Sequence, residues 1–268
     1  MTKHVPHGFV IRLFATAVAA TLCAGTAAVA ADPPKADAAA LDAAFASRDR
    51  LPADREQDTR RHSREVLEFL GVRPGMRVID VFAAGGYNAE LLARAVGAKG
   101  QVIAYNNPAY AKFAEKGISE RYSAGRLGNV RQLTAEVDEL QLPAASLDAA
   151  LFVMSYHDAY WRPKDGSFDR TKPDVLLKKL HDALKPGGVV VVQDHVAAAG
   201  GDPAQVADKL HRIDPALVRR DFERAGFVFD GSSEVLKHPG DDHSKLVFDE
   251  TIRGKTDQFV YRFRKPVS

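Results

Sequence analysis

Beyond about residue 65 the chain alternates between two hydrophobic periods. Short runs rich in β-branched and apolar residues, Met76–Phe82, Gln101–Tyr105, Val130–Leu133, Leu147–Met154 and Val189–Gln193, read as strands. Between them, Tyr87–Val96, Ala109–Ser119, Pro173–Leu184 and Pro203–Ala225 have helical patterning. This alternation predicts a parallel sheet wrapped by helices on both faces, with ligands at the carboxyl ends of the strands. Late in the chain, Phe227–Lys237 and Gln258–Phe263 are joined by a polar connection with no helical pattern, which predicts an antiparallel pair at one sheet edge. The expected fold is therefore α/β, a doubly wound, seven-stranded and mostly parallel sheet. Upstream, Ala38–Arg50 and Asp54–Leu70 read as helices, the second with Val66, Leu67, Phe69 and Leu70 on its apolar side and Gly71 at its end.

The first thirty residues follow a different pattern. Lys3 and Arg12 precede an apolar run from Leu13 to Ala24, and Ala28-Val29-Ala30 stands before Ala31, an order that reads as a secretory signal peptide. The expected organisation is a signal at 1–30, a flexible leader at 31–40, and one domain over 41–268 that includes a helical cap at 41–70. Cleavage near Ala30 implies export, to the periplasm, with no membrane span left behind. It also removes Cys23, the only cysteine, so a disulfide, a thiolate metal site and a cysteine nucleophile are excluded. A formal charge of +2 over 268 residues, with acidic and basic residues intermixed, gives no large basic field, so nucleic acid is not an expected partner.

Several motifs sit at the predicted strand ends. Phe69-Leu70-Gly71-Val72, Pro74-Gly75-Met76, Val78 and Asp80 lead into a Gly85-Gly86-Tyr87 turn, and Leu184-Lys185-Pro186-Gly187-Gly188 precedes the fifth strand run. In this order they resemble the class I S-adenosylmethionine (SAM)-dependent methyltransferases, and more narrowly a group of exported methyltransferases. The resemblance covers roughly residues 65–265. It implies a Rossmann-like fold, SAM as cofactor and a small-molecule methyl acceptor.

It also implies a cofactor site at Asp80, Phe82, Ala84, Gly85, Gly86, Tyr87, Asn106, Glu136 and Met154. Glycine suits the first turn because a backbone without Cβ lets the cofactor approach the helix N-terminus. The family pattern D-x-G-x-G-x-G becomes Asp80, Phe82, Ala84 and Gly86 here, with Gly85 added, so one family glycine is kept. Asn106 stands where the family has a carboxylate for the ribose hydroxyls, which removes a charge-assisted bidentate bond. Glu136 matches the acidic residue that meets the adenine amine.

On the acceptor side, Tyr156-His157-Asp158 is followed by Tyr160 and Trp161. His157 is the expected general base, Asp158 its orienting partner and Tyr156 a wall of the site. Asp158, Asp194 and His195 fall at neighbouring strand ends, a residue set that a divalent metal could use, although no close ligand spacing supports it. Arg48, Arg50, Arg55, Arg60 and Arg61 cluster before the first strand run as a solvated helix face or an anion clamp. Two functions follow: methyl transfer from SAM to a small molecule, or an exported non-methylating descendant whose cleft binds another ligand or a metal.

Overall fold

A computed structural model describes residues 1–4 and 35–267. The signal region, Cys23 and the expected cleavage near Ala30 lie outside the described residues. Seven strands, β1 (Arg77–Val81), β2 (Gln101–Asn106), β3 (Val130–Thr134), β4 (Leu147–Val153), β5 (Leu184–His195), β6 (Val228–Ser233) and β7 (Gln258–Arg264), form one sheet in the order β3-β2-β1-β4-β5-β7-β6. β1 to β5 are parallel, and β7 runs antiparallel to both β5 and β6. The doubly wound sheet with an antiparallel C-terminal pair is what the sequence predicts. The order reverses between β1 and β4, whose carboxyl ends form the switch point where ligands bind in such sheets.

Nine helices pack around this sheet among the described residues: α1 (Ala38–Ala46), α2 (Pro52–Arg61), α3 (Ser63–Leu70), α4 (Tyr87–Val96), α5 (Pro108–Phe113), α6 (Glu115–Tyr122), α7 (Pro173–Ala183), α8 (Pro203–Leu210) and α9 (Pro215–Arg224). Alternation along each strand splits the core in two. Ile79, Val81, Ile103, Phe152, Val190 and Val192 pack with α7 and α9, whereas Val78, Val102, Ala149, Leu151 and Val191 pack with α1, α3 and α4.

Three predicted helices are broken by local backbone needs. His62 adopts a left-handed φ of 47° and separates α2 from α3. α5 ends at Ala114, and Ile213 leaves the helical path to bridge Val196, which divides Pro203–Ala225 into α8 and α9. At the N-terminal side, α1 begins inside the stretch 31–40 expected to be flexible, because the Asp37 side chain accepts from Ala40 N at 2.9 Å and caps it. α1 packs on α4 and α3 on β5, so the helical cap lies on one face of the sheet.

The long connection between β6 and β7 is tied down by one buried arginine. Arg212, 0% exposed, donates to both oxygens of Asp241 at 2.8 and 3.0 Å and to the carbonyls of Val196 and Lys245 at 3.0 and 2.9 Å.

Candidate functional site

The turn after β1 is a strained loop held by side chains. Phe82, Ala84 and Gly86 all have left-handed φ, at 56°, 46° and 83°. For the two non-glycine residues this costs ~1–2 kcal/mol each. Asn106, at the end of β2, compensates: its Oδ1 accepts from Ala84 N at 2.9 Å and its Nδ2 donates to Ala84 O at 3.1 Å. The residue expected at the ribose hydroxyls instead clamps the turn, its amide offering a donor and an acceptor to one peptide, which a carboxylate cannot do.

The aromatic residues of this turn are equally engaged. Phe82 is buried in the core, with its ring stacked 5.2 Å from that of Tyr110 on α5 and 5.6 Å from Tyr105. Gly117 on α6 lies against Gly85, such that a Cβ on Gly117 would sit 3.3 Å from the Gly85 Cα. A Cβ on Gly86 would collide with the Tyr122 hydroxyl. Arg121 donates from Nε to Gly85 O at 2.5 Å while pairing with Asp54 at 2.6 Å and with Glu90. Tyr87 turns toward α2 and α3, its hydroxyl bonding Asp58 at 2.7 Å and Ser63 at 2.9 Å. Tyr110, Arg121 and Tyr122 are the residues that reading by motif missed, since they belong to no family motif and meet the turn only through α5 and α6.

Two carboxylates in this region keep an unpartnered buried oxygen, Asp80 Oδ2 and Glu136 Oε2, as does the Tyr122 hydroxyl. Burial pushes Asp80 up to about 7 and also raises Glu136. These free acceptors would suit a donor carrying amines. Around Gly85 and Gly86, however, the space is taken by α6, while Tyr110 of α5 stacks on Phe82. In this arrangement Gly117, Arg121 and Tyr122 of α6 lie over the turn that SAM would approach.

The acceptor-side residues divide between the two faces. Tyr156 is fully buried between Phe152 and Phe222 with its hydroxyl bonded to Asp221 at 3.0 Å, which makes it part of the core. His157 is enclosed by carboxylates: Nδ1 lies 2.8 Å from Asp194 and Nε2 3.4 Å from Asp158, which also accepts from the Tyr110 hydroxyl. Burial alone would lower its pKa, but the charges of Asp158 and Asp194 override it and raise His157 to about 9. His157 is thus an imidazolium at neutral pH, without a lone pair for the role of general base.

His195 has the opposite character. Burial lowers it to about 4, so it is neutral, and its Nδ1 lies 2.8 Å from Thr256 Oγ1. Asp158 and Asp194 both turn to His157 while His195 turns to Thr256, so the three do not converge. Among the described residues no group of three or more His, Cys, Asp or Glu is arranged to hold a metal.

A cavity of about 200 Å³ opens at the carboxyl ends of β4 and β5, with Met154, Gln193 and His195 on its floor and the end of α2 and the β6–β7 connection over it. A larger hollow of about 720 Å³, beside Arg94, Arg126 and Asn129, lies near the amino ends of β2 and β3, remote from these groups.

This sheet order, with helices on both faces and the site at the β1/β4 switch, is the class I SAM-dependent methyltransferase fold. The sequence pattern of protein-L-isoaspartate(D-aspartate) O-methyltransferases matches residues 60–122. Individual relatives include the ubiquinone/menaquinone biosynthesis C-methyltransferase UbiE of Idiomarina loihiensis, 27% identical over 54% of this chain and 53% of its own length. UbiE of a Shewanella species (strain ANA-3) is 27% identical over 73% of this chain and 66% of its own. The chain therefore spans about half to two thirds of these relatives. Similar solved structures are a SAM-dependent methyltransferase from Aquifex aeolicus, with a TM-score of 0.55, 20% identity and coverage of 79% of this chain and 94% of its own. Another is the [4+2]-cyclase SpnF, with a TM-score of 0.56, 21% identity and coverage of 79% and 83%.

Proposed function

We propose that this chain is a SAM-dependent methyltransferase acting on a small molecule, with its donor cleft shut by α5 and α6 in the arrangement described above. The observation that carries this reading is the class I sheet, with Asp80 and Glu136 each holding an unpartnered acceptor oxygen beside the switch point. The relatives named above support it. Tyr110, Tyr122 and Asn106 occupy or engage the turn that the donor would use.

What the chain's own residues can do is clearer on the acceptor side. His157 with Asp158 and Asp194 forms a fixed charged group that positions the end of β4. His195, held neutral by burial, offers a hydrogen-bonding imidazole on the cavity floor, but its lowered pKa makes it a weak base for taking a proton.

The closed turn favours one alternative, a descendant that uses the strand-end cavity without methylating. Calorimetric titration with SAM and S-adenosylhomocysteine separates the two. Micromolar binding of either supports the methyltransferase; absence of binding, in a protein whose cavity still takes a ligand, supports the descendant. Export to the periplasm is part of the proposal, supported by the basic, apolar and Ala-x-Ala order of residues 1–30, with 41–268 as the working domain. N-terminal sequencing of the protein from a periplasmic fraction tests it, and Ala31 is the expected first residue. Among the described residues no helix is long and apolar enough to cross a membrane.

A further inference from the structure

The cavity at the ends of β4 and β5 carries an unusual charge pattern. Arg60, Arg61 and Arg253 line it, and no residue of its wall is acidic among the described residues. Arginines nearby in the sequence find carboxylates, as Arg50 does with Asp58 at 2.6 Å and Arg64 with Asp42 at 2.7 Å. Arg60, Arg61 and Arg253 form no ion pair with a described residue, as Arg121 has taken Asp54.

Arg61 is also positioned, unlike a solvated side chain. Its guanidinium lies 4.7 Å from the Tyr87 ring centre and its Nε donates to Gln57 at 2.9 Å, which leaves its terminal N–H groups free. Burial and the neighbouring charge of Arg60 both act against its own charge. An anion between the arginines would relieve that repulsion, and the guanidinium fork matches carboxylate and phosphate oxygens.

The rest of the wall specifies what carries the anion. Met154, Val247 and Phe248 give it an apolar side, while Gln193 and Gln258, bonded to each other at 2.8 Å, and Thr256 give neutral polar groups. A bare inorganic ion would leave the apolar side without contact. About 200 Å³ accommodates a compact molecule such as a single substituted ring.

We propose that this cavity binds a small organic anion, a carboxylate or phosphomonoester on an apolar body, gripped by Arg60, Arg61 and Arg253 with its apolar part against Phe248, Val247 and Met154. As an account of the methyl acceptor it rests on the methyltransferase reading; as an account of binding it does not.

The test is calorimetric titration of the full chain, without donor and at fixed ionic strength, with benzoate, phenyl phosphate and the neutral benzamide. At least one anion binds, and benzamide binds at least about tenfold more weakly. Arg60 and Arg253 are exposed, so the double variant Arg60→Gln/Arg253→Gln keeps its fold, checked by circular dichroism. It loses about tenfold in anion affinity and leaves benzamide unchanged. The anion that binds more tightly identifies the head group as carboxylate or phosphate. No binding of either anion, equal binding of benzamide, or unchanged affinity in the folded double variant overturns the proposal. Those outcomes leave the SAM titration, and the function it tests, untouched.

Discussion

At the scale of single residues, the same side-chain type is shifted in opposite directions a short distance apart. His157 and His195 have ring centres 6.5 Å apart, yet one is raised to about 9 and the other lowered to about 4. Their linkage to stability has opposite signs. His157 stabilises the fold fully below its unfolded value of 6.5, and that contribution is lost as pH rises through about 9. His195 is neutral when folded, so stability is lost as pH falls from 6.5 through about 4, where the unfolded chain takes up the proton more readily. Denaturant unfolding from pH 5 to 9.5 in wild type and His157→Gln checks this: wild type declines on the alkaline side, and the variant is flatter there.

Asn106 gives a second prediction at this scale. Restoring the family's carboxylate with Asn106→Asp removes the donor to Ala84 O and brings negative charge against that carbonyl. The expected result is a loss of ~1–3 kcal/mol in denaturant unfolding, with no gain in SAM affinity. A gain in affinity without loss of stability would return Asn106 to the cofactor site.

At the scale of elements, α6 decides whether the turn is open. Its contact with β1's turn runs through paired glycines, Gly85 and Gly117, and through Arg121. Gly117→Val forces bulk against the Gly85 Cα, which is expected to cost ~1–3 kcal/mol by overpacking and to push α6 outward. If α6 is what excludes the donor, SAM binds this variant more tightly than wild type in the same titration. Gly86→Val is the less informative change: positive φ and the Tyr122 hydroxyl make it a folding mutation first.

The elements themselves were largely legible in the sequence, while their junctions were not. Val189 to Val192 reads as a buried strand without help, and the polar link before Gln258 marked the antiparallel return. The breaks at His62 and Ile213 leave no trace in the periodicity, because one is set by a left-handed backbone and the other by a bridge to Val196. Phe82 and Asn106 were visible as departures from a family pattern. Their reason was not visible, since Tyr110 and Ala84 meet them only after folding. Arg60 and Arg61 stand out in the sequence only as part of a cluster with Arg50, and only the structure separates them from Arg50, paired with Asp58, and joins them to Arg253.

For the molecule as a whole, the β6–β7 connection roofs the cavity at the ends of β4 and β5. Arg212 anchors it through Asp241 and the carbonyls of Val196 and Lys245. Arg212→Leu leaves the buried Asp241 charge with only the backbone N–H groups of His243 and Asp257, at an expected cost of ~3–5 kcal/mol. Limited proteolysis should then cut within residues 234–257, while amide exchange in β1 and β4 stays slow. Uniform acceleration of exchange would instead mean that the anchor serves the entire domain.

The placement of β7 has a consequence for biosynthesis. The sheet grows outward from β1 as the chain is made, but β5 stays unpaired on one side until residues 258–264 arrive and slot in ahead of the already synthesised β6. A nascent chain that stalls earlier presents the long apolar edge of β5 to any neighbour, which is a template for aggregation. Translation products cut short before β7 will therefore be scavenged or precipitate, and the domain matures in one late step.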